Sequence, residues 1–390
     1  MHKTSKQLAI IHSATFTIFF AMSIVVPILG PYLSSLGFSD TEIGIIAMFM
    51  PLTSIVLRPL AGFLADTWSR KYLVVLGLLA TTLSGLFYIG SNLIVSFGRV
   101  FQGIGLALFV PGSTALTSYL AKKTVRLGFH MGIRSLLNGL GFTLGPLASA
   151  YLTVNYGFHA PFIALAIVPL PFVYLSIHID ELTHRVLPEI DYVKILKWWL
   201  SVGRKPFILW TTISMTLMTV GYTSIQTFLS LYYQATYGKG VVLAGTFFTI
   251  LGLSSIPTRA AGGILSEKRG PYKIVESALI LILVGSTTIL VKGFISFIIS
   301  PIFIGLGLGL LIPSMLVGVS QVTDNKEYGS AFSFSTTYWD TGGLIGPLLG
   351  GILSSLSGYW LAILLYPLLN SMAVAAFTIY YISVRNNQVS

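Results

Sequence analysis

Charged residues make up only 9% of this 390-residue chain, so each one inside a long apolar run calls for an explanation. Of the 12 acids, only Glu276 and Asp340 fall within such runs. Asp340 stands near the middle of the run 329–355, with Trp339 before it and several glycines after it. Burial favours the neutral form of a carboxyl, and a nearby arginine favours the ionised form. A carboxyl held between these pulls takes up and releases a proton as its surroundings alternate. Two readings of Asp340 follow: a coupling or cation-binding acid, or a static partner for an arginine. Glu276, three residues past Lys273, reads as a structural residue near the interface. Four arginines also lie inside apolar runs: Arg58, Arg99, Arg134 and Arg259. An arginine at mid-membrane depth costs about 2.5–3.5 kcal/mol on insertion scales and normally faces a polar interior. Arg99, with Gln102 one turn on, reads as such a group; its alternative is snorkelling to the outer surface. Arg58, Arg134 and Arg259 lie nearer the cytoplasmic face, where snorkelling or bonding between helices accounts for them. His12 is able to titrate, but a single isolated histidine reads as structural.

Only long helices in lipid could position these groups. The chain is 54% hydrophobic with a mean hydropathy of +0.84, whereas charged residues run near a quarter in soluble domains. A bilayer span needs about 20 apolar residues. Twelve runs qualify: 8–35, 42–64, 72–91, 93–120, 128–152, 160–179, 206–233, 240–265, 273–292, 295–322, 329–355 and 359–382. The first is too long for a cleaved signal segment and reads as a retained anchor. With twelve spans and an inner N-terminus, the outer loops hold only Lys239 and Lys292. Apart from the four intramembrane arginines, the rest of the 23 Lys and Arg face the cytoplasm. That is the positive-inside pattern. It places both termini in the cytoplasm and explains the net charge of +11 without a nucleic-acid partner. The chain has no cysteine, which excludes disulfides, thiolate metal sites and thiol nucleophiles.

The chain also repeats itself. A shift of 201 residues lays Leu52, Ser54, Arg58, Gly62 and Asp66 onto Leu253, Ser255, Arg259, Gly263 and Glu267. The same shift lays Gly141, Gly145 and Pro146 onto Gly342, Gly346 and Pro347. A shift of 202 lays Gly103, Gly105 and Pro111 onto Gly305, Gly307 and Pro313. Blocks in one order at nearly one offset mark two copies of a half, and in a membrane chain this points to a transporter. The expected division is 1–180, a cytoplasmic linker 181–205, and 206–390. Within the linker, Ile190, Val193, Leu196 and Leu200 share one face flanked by Lys194 and Lys197. That suits a short helix in the headgroup layer, or a plain stiff linker. Ser39 and Glu42 are spaced as a capping box opening the second span. Gly305–Leu310, GLGLGL, lacks the strand and βαβ unit of a nucleotide site and reads as helix packing.

Three motifs carry a family resemblance. GFLADTWSRK, after the second span, resembles the signature loop of the major facilitator superfamily, with Thr67 and Ser69 where that loop usually has a basic residue and glycine. RVFQGIGLA, with Arg99, Gln102, Gly103 and Gly105, resembles the family's second motif. GLGFTLGPLAS, with Gly141, Gly145 and Pro146, is similar to the motif of its antiporter branch. The resemblance spans the whole chain. It implies an all-α membrane protein, twelve transmembrane helices in two pseudo-twofold-related six-helix bundles. It also implies a gating latch around Asp66, Arg70 and Lys71, repeated weakly at Glu267, with Arg58 and Arg259 beside it. In such a latch a carboxylate caps the positive N-terminus of a neighbouring helix, contributing roughly 0.3–2 kcal/mol. Substrate charge or proton coupling would fall to Asp340, Arg99, Gln102 and Arg134. Close helix packing would fall to Gly62, Gly103, Gly105, Gly141, Gly145, Pro146, Gly342, Gly346 and Pro347. Phe16, Phe20, Tyr222 and Gln226 lie in spans that the family uses to line its cavity.

The implied activity is proton-coupled efflux of small lipophilic or cationic compounds by alternating access. The expected protein is a monomer in the cell membrane, without cofactor or metal. A sugar or metabolite transporter of the same family is the first alternative. A non-transporting receptor or scaffold is another. An enzyme would need clustered His, Asp or Glu at one depth, and only Asp340 is deep.

Overall fold

A computed structural model describes residues 2–90, 92–122, 127–181, 192–323 and 328–389. No strand occurs among them; the order is helix after helix. The elements are α1 (His2–Ile24), α2 (Leu29–Ser35), α3 (Asp40–Thr67), α4 (Arg70–Ile89), α5 (Asn92–Lys122), α6 (Leu127–Tyr156), α7 (His159–Ile167) and α8 (Leu170–Ile177). They continue as α9 (Tyr192–Gly203), α10 (Pro206–Tyr237), α11 (Gly240–Arg269), α12 (Pro271–Thr288), a π-helical turn (Ile295–Ile299) leading into α13 (Ser300–Val322), α14 (Tyr328–Ser335), α15 (Thr337–Ser357) and α16 (Tyr359–Val389). Eight segments among the described residues are long and apolar enough to cross a membrane, on α1, α3, α4, α5, α7–α8, α11, α13 and α16. The other long helices, α6, α10, α12 and α15, fall on the remaining four expected ranges.

Lipid cannot hydrogen-bond a backbone, so each crossing must satisfy its own amides internally. At two prolines, which lack the N–H donor, the rod breaks. The expected first span is two helices, with Pro27 in the turn between α1 and α2. The sixth parts into α7 and α8 before Pro169. Buried hydroxyls bond back to their own helix, as Thr15 does to the Ile11 carbonyl at 2.8 Å and Thr219 to that of Met215 at 2.7 Å. At Gly238 the chain turns with φ of 70°, a left-handed value that closes α10 before α11 begins.

By contacts the chain forms two compact units. Unit 1 is Met1–Phe38 with Ile45–Glu189, and unit 2 is Ser39–Gly44 with Ile190–Ser390. In unit 1, α4 packs on α5 and α1 on α6. The core forms on a helical stripe of α1, Leu8, Ile11, Ile18 and Met22, meeting Val74 and Leu78 of α4 and Leu106 and Phe109 of α5. In unit 2, α11 packs on α13, and α10 lies against α15 and α16. The capping box forms at the start of α3: Glu42 accepts from the Ser39 backbone N–H at 2.8 Å and from its hydroxyl at 2.7 Å.

The same glycine contacts recur inside each unit. A methyl on Gly103 would meet the Met50 carbonyl oxygen and Thr53 Cβ; one on Gly305 would meet the Leu251 carbonyl oxygen and Ser254 Cβ. Ser23 donates to the Gly141 carbonyl at 3.0 Å, and Thr223 to the Gly342 carbonyl at 2.7 Å. Gly145 and Gly346 lie against those same two hydroxyls. A methyl on Gly105 would stand 3.0 Å from the Gly77 carbonyl oxygen. Gly62 differs from this pattern: nothing described lies within 4 Å of a methyl placed there, so no described neighbour requires glycine at that point. Pro146 and Pro347 sit inside α6 and α15.

The linker helix α9 leaves Val193, Leu196 and Leu200 exposed along one face, while Gly203 packs against the Phe334 ring of α14. Ile190 lies outside the described residues, as do the side chains of Lys194, Trp198 and Trp199.

Candidate functional site

Buried polar groups gather in both units. In unit 1, the Arg99 guanidinium donates from Nη1 to Gln102 Oε1 at 2.9 Å and from Nη2 to the Ala47 carbonyl of α3 at 2.8 Å. Gln102 is fully buried and also accepts from the Tyr88 hydroxyl at 2.7 Å. Tyr32 donates in turn to the Tyr88 carbonyl. Arg99 therefore turns inward and ties α3 to α5 rather than reaching for the surface. Its bonds to a carbonyl and an amide oxygen leave its charge uncancelled among the contacts seen, in a setting of low dielectric.

Arg134, on α6, donates to Ser113 Oγ of α5 at 2.9 Å and to the Val110 carbonyl at 3.4 Å. Arg58 is half-buried on α3. Phe16 and Phe20, one turn apart on α1, stack at 5.7 Å between ring centres. Both are half-buried, and the backbone between them is what Gly141 packs against.

In unit 2, α10, α11, α15 and α16 bring an aromatic cluster together. Tyr222 is 5% exposed and hydrogen-bonds through its side chain to Gln226. Its ring centre lies 5.9 Å from that of Trp339 and 6.0 Å from that of Tyr366. Tyr338 meets Trp339 edge-on at 6.2 Å. The charge of Arg259 on α11 acts on the hydroxyls of both Tyr338 and Tyr222. Asp340, only 1% exposed, follows Trp339 directly in the first turn of α15. Helical spacing brings Tyr222 and Gln226 to one face of α10, but only packing sets α15 and α16 against that face. Aromatic faces attract cations by about 0.5–2 kcal/mol each, and a buried carboxyl supplies either countercharge or a proton site.

At the other expected site, Arg70 and Lys71 open α4. Their backbone N–H groups donate to a single carboxylate, Glu181, at 3.2 and 2.9 Å. The Ser69 hydroxyl also donates to Glu181, at 2.8 Å, and accepts from the Tyr72 N–H at 3.3 Å. Arg70 adds an ion pair to Glu181 at 3.9 Å and lies 5.4 Å over the Tyr119 ring. The acid on the helix N-terminus is thus Glu181, from just past α8. The Asp66 side chain lies outside the described residues. Glu267 is exposed at the end of α11, beside Lys268 and Arg269. Glu276 accepts from the Thr378 hydroxyl of α16 at 2.8 Å, a structural bond.

Sequence reasoning missed Glu181, Tyr88 and His130. Glu181 is 110 residues from Lys71 and Tyr88 is 14 from Gln102, so no local spacing announces either. His12, isolated along the chain, is paired with His130 across 118 residues. No group of three or more His, Cys, Asp or Glu suited to a metal occurs among the described residues.

Comparison with known proteins agrees with this architecture. The chain is 26% identical over 364 residues to multidrug resistance protein 2 of Bacillus subtilis (strain 168), covering 89% of this chain and 88% of that protein. It is 24% identical over 373 residues to the quinolone resistance protein NorA of Staphylococcus aureus (strain MRSA252), covering 90% of each. Among solved structures, a mutant of the nucleoside transporter NupG superposes with a TM-score of 0.81 over 96% of this chain and 100% of that one, at 12% identity. A POT family transporter in complex with 5-aminolevulinic acid gives 0.80 over 97% and 96%, at 13% identity. The family model of the Major Facilitator Superfamily matches residues 11–291 and again 263–389. With apolar helices throughout and motifs repeated in both units, this multi-pass membrane protein belongs to the Major Facilitator Superfamily, whose members are transporters rather than enzymes.

Proposed function

We propose that this chain exports small lipophilic or cationic compounds in exchange for protons, by alternating access. The observation that carries the reading is the cluster of unit 2: Trp339, Tyr366 and Gln226 about Tyr222, Tyr338 against Trp339, and the buried acid Asp340 next in the chain. Such a surface suits a flat or greasy cation, which gains from aromatic faces and from one carboxylate. It suits a sugar poorly, because polar recognition needs several amides and acids at one place. The names of the relatives, a multidrug resistance protein and a quinolone resistance protein, point the same way.

Asp340 is the acid proposed to alternate between cation and proton. Arg99 and Gln102 hold α3 against α5, and Arg134 holds α6 against α5. The Asp66, Arg70 and Lys71 loop is proposed as a cytoplasmic latch, with Glu181 anchoring it from within unit 1. A proton entering across 100 mV supplies about 2.3 kcal/mol, which drives uphill export of a neutral compound. For a monovalent cation it offsets the equal electrical cost of export, and uphill export then draws on the pH gradient. The protein works in the cell membrane as a monomer with both termini in the cytoplasm, by the bias of Lys and Arg. That bias also accounts for its basic charge without any nucleic acid.

The test is reconstitution into liposomes holding a pH dye, with cationic dyes, sugars and amino acids offered in turn. Proton movement that depends on a cationic dye is the expected result. Proton movement with sugars or amino acids alone overturns the substrate class, and no solute-linked proton movement in any arm overturns the coupling.

A further inference from the structure

One pair of titratable groups in unit 1 has no part in the sites above. His12, on α1, is 7% exposed, and its Nε2 lies 3.2 Å from Nδ1 of His130 on α6. The two rings stack 16° from parallel, with centres 5.5 Å apart. Phe129 lies edge-on to His130 at 5.3 Å. The other nitrogen of His12, Nδ1, is buried and has no hydrogen-bond partner among the described residues.

This geometry selects a tautomer. One nitrogen of the close pair must donate and the other accept. If His130 donated, His12 Nδ1 would carry a buried N–H with nothing to receive it, which is the costlier kind of orphan. So His12 donates from Nε2 to His130 Nδ1, and His12 Nδ1 holds a bare, buried lone pair. A proton added there makes His12 an imidazolium with a charge-assisted bond to His130. Its Nδ1–H, however, has no acceptor among the described residues in this packing. The site therefore takes its proton when α1 and α6 open Nδ1 to water and gives it up when they close. A second proton would have to take the acceptor nitrogen of His130. That would break the bond and set two like charges side by side. The pair therefore holds one added proton and no more.

The charged surroundings are few. The charges acting on His12 are those of His130 and Arg134. Arg134 stands one helical turn beyond His130 on the same face of α6, bound to Ser113 of α5. Of the other helices touching α1, α4 contributes Arg70 and Lys71, both engaged with Glu181. Beyond α8, Asp180 accepts from Gln7 Nε2 at 2.7 Å. His178 of α8 is bonded to the Tyr174 carbonyl, and His159 of α7 lies against Tyr32. Tyr119 of α5 lies under Arg70. Among the described residues, Arg134 is the cation that acts on His12, and its position bears on how readily the pair accepts its proton.

The pair also sits on the seam between α1 and α6. His12, Phe16 and Phe20 fall at successive turns of one face of α1. Along that seam Gly141 and Gly145 bring α6 against the backbone of α1. A proton gained or lost at the foot of the seam alters the bond between the helices that carry both the phenylalanines and the antiporter-like motif.

We propose that His12 and His130 form a one-proton binding site of the transport cycle, distinct from Asp340, with Arg134 regulating its occupancy. The proposal rests on the proton-coupled reading given above and adds a second proton carrier to it. The experiment measures protons moved per dye molecule moved, in the liposome assay with a cationic dye, for the wild type, His12→Gln and His130→Gln. The ratio is read only from protein that is folded and moving dye, so a merely structural loss lowers the rate and leaves the ratio alone. The expected result is a ratio lower by one proton in both variants, and a flatter pH dependence of dye flux. An unchanged ratio in the variants, with solute-linked proton flux in the wild type, overturns the proton site and spares the coupled-transport reading. No such flux in the wild type overturns that reading, and the site's role with it. Should neither variant fold, nitrogen-15 histidine spectra of the wild type decide: a hydrogen-bonded pair taking up one proton supports the site. Two histidines titrating independently overturn it.

Discussion

Replacing Glu181 with alanine removes the carboxylate from the start of α4. Three donors then lose their acceptor: the Ser69 hydroxyl at 2.8 Å, the Lys71 N–H at 2.9 Å and the Arg70 N–H at 3.2 Å. The Arg70 ion pair at 3.9 Å goes too. Water cannot replace these contacts fully, because the side chains of Glu181 and Arg70 are only 4% and 13% exposed. A hydrogen bond to a charged group contributes about 1.5–3 kcal/mol, and a carboxylate on a helix N-terminus roughly 0.3–2 kcal/mol. These contributions share one charge and do not add, so the loss should be about 3 kcal/mol. In a unit of this size that lowers the unfolding midpoint by about 6–12 °C. Glu181→Gln keeps an acceptor oxygen and loses the charge, so its shift should be about half as large. Thermal unfolding in detergent, followed by intrinsic fluorescence, measures both. A Glu181→Ala midpoint within ~2 °C of the wild type, the shift of less than one kcal/mol, would refute the reasoning.

Three further outcomes follow from the same contacts. Gly103→Ala drives a methyl against the Met50 carbonyl and should destabilise by about 1–3 kcal/mol, whereas Gly62→Ala meets none of the described residues and should stabilise by up to about 1 kcal/mol through helix propensity; equal melting shifts would contradict this. Asp340→Asn removes a coupled charge, so the limiting dye gradient at 100 mV should fall about 50-fold while downhill exchange continues; a retained gradient in the liposome assay rejects Asp340 as the coupling acid. Tyr222→Leu takes one ring from the aromatic cluster and should weaken binding of a cationic dye by about 2- to 30-fold, read by fluorescence polarisation, with unaltered affinity as the contrary result.

Much of the fold was legible in the residues because lipid simplifies the problem. A bilayer admits only segments that satisfy their own backbone, so length and apolarity locate helices with little help from tertiary contacts. Each expected span range is helical over most of its described residues, with turns at Pro27 and Pro169, and the Ser39–Glu42 box forms as its spacing implied. What blurred the count was polarity. Helix α10 carries so many hydroxyls that it falls short on composition, yet Thr219 and Thr223 satisfy theirs on the helix's own carbonyls. The buried clusters were only half legible. Arg99 and Asp340 stood out because a charged group in an apolar run is costly, and Tyr222 because the family resemblance puts its span at the cavity. Partners such as Tyr88 and Glu181 did not, since only packing brings them to the arginine, amide and helix end that they meet.

By itself, then, the order of residues determined where helices run, which charges are buried in them, and that the blocks around Gly103 and Gly141 repeat near Gly305 and Gly342. It did so because periodicity, hydropathy and repetition are properties of the chain alone. Only the tertiary structure decided that Arg99 turns to the Ala47 carbonyl, that Glu181 receives the start of α4, and that His12 faces His130. Those choices join residues 52 to 118 positions apart. Nothing in local spacing selects such a pair; helix packing does, by setting which faces come within hydrogen-bond reach.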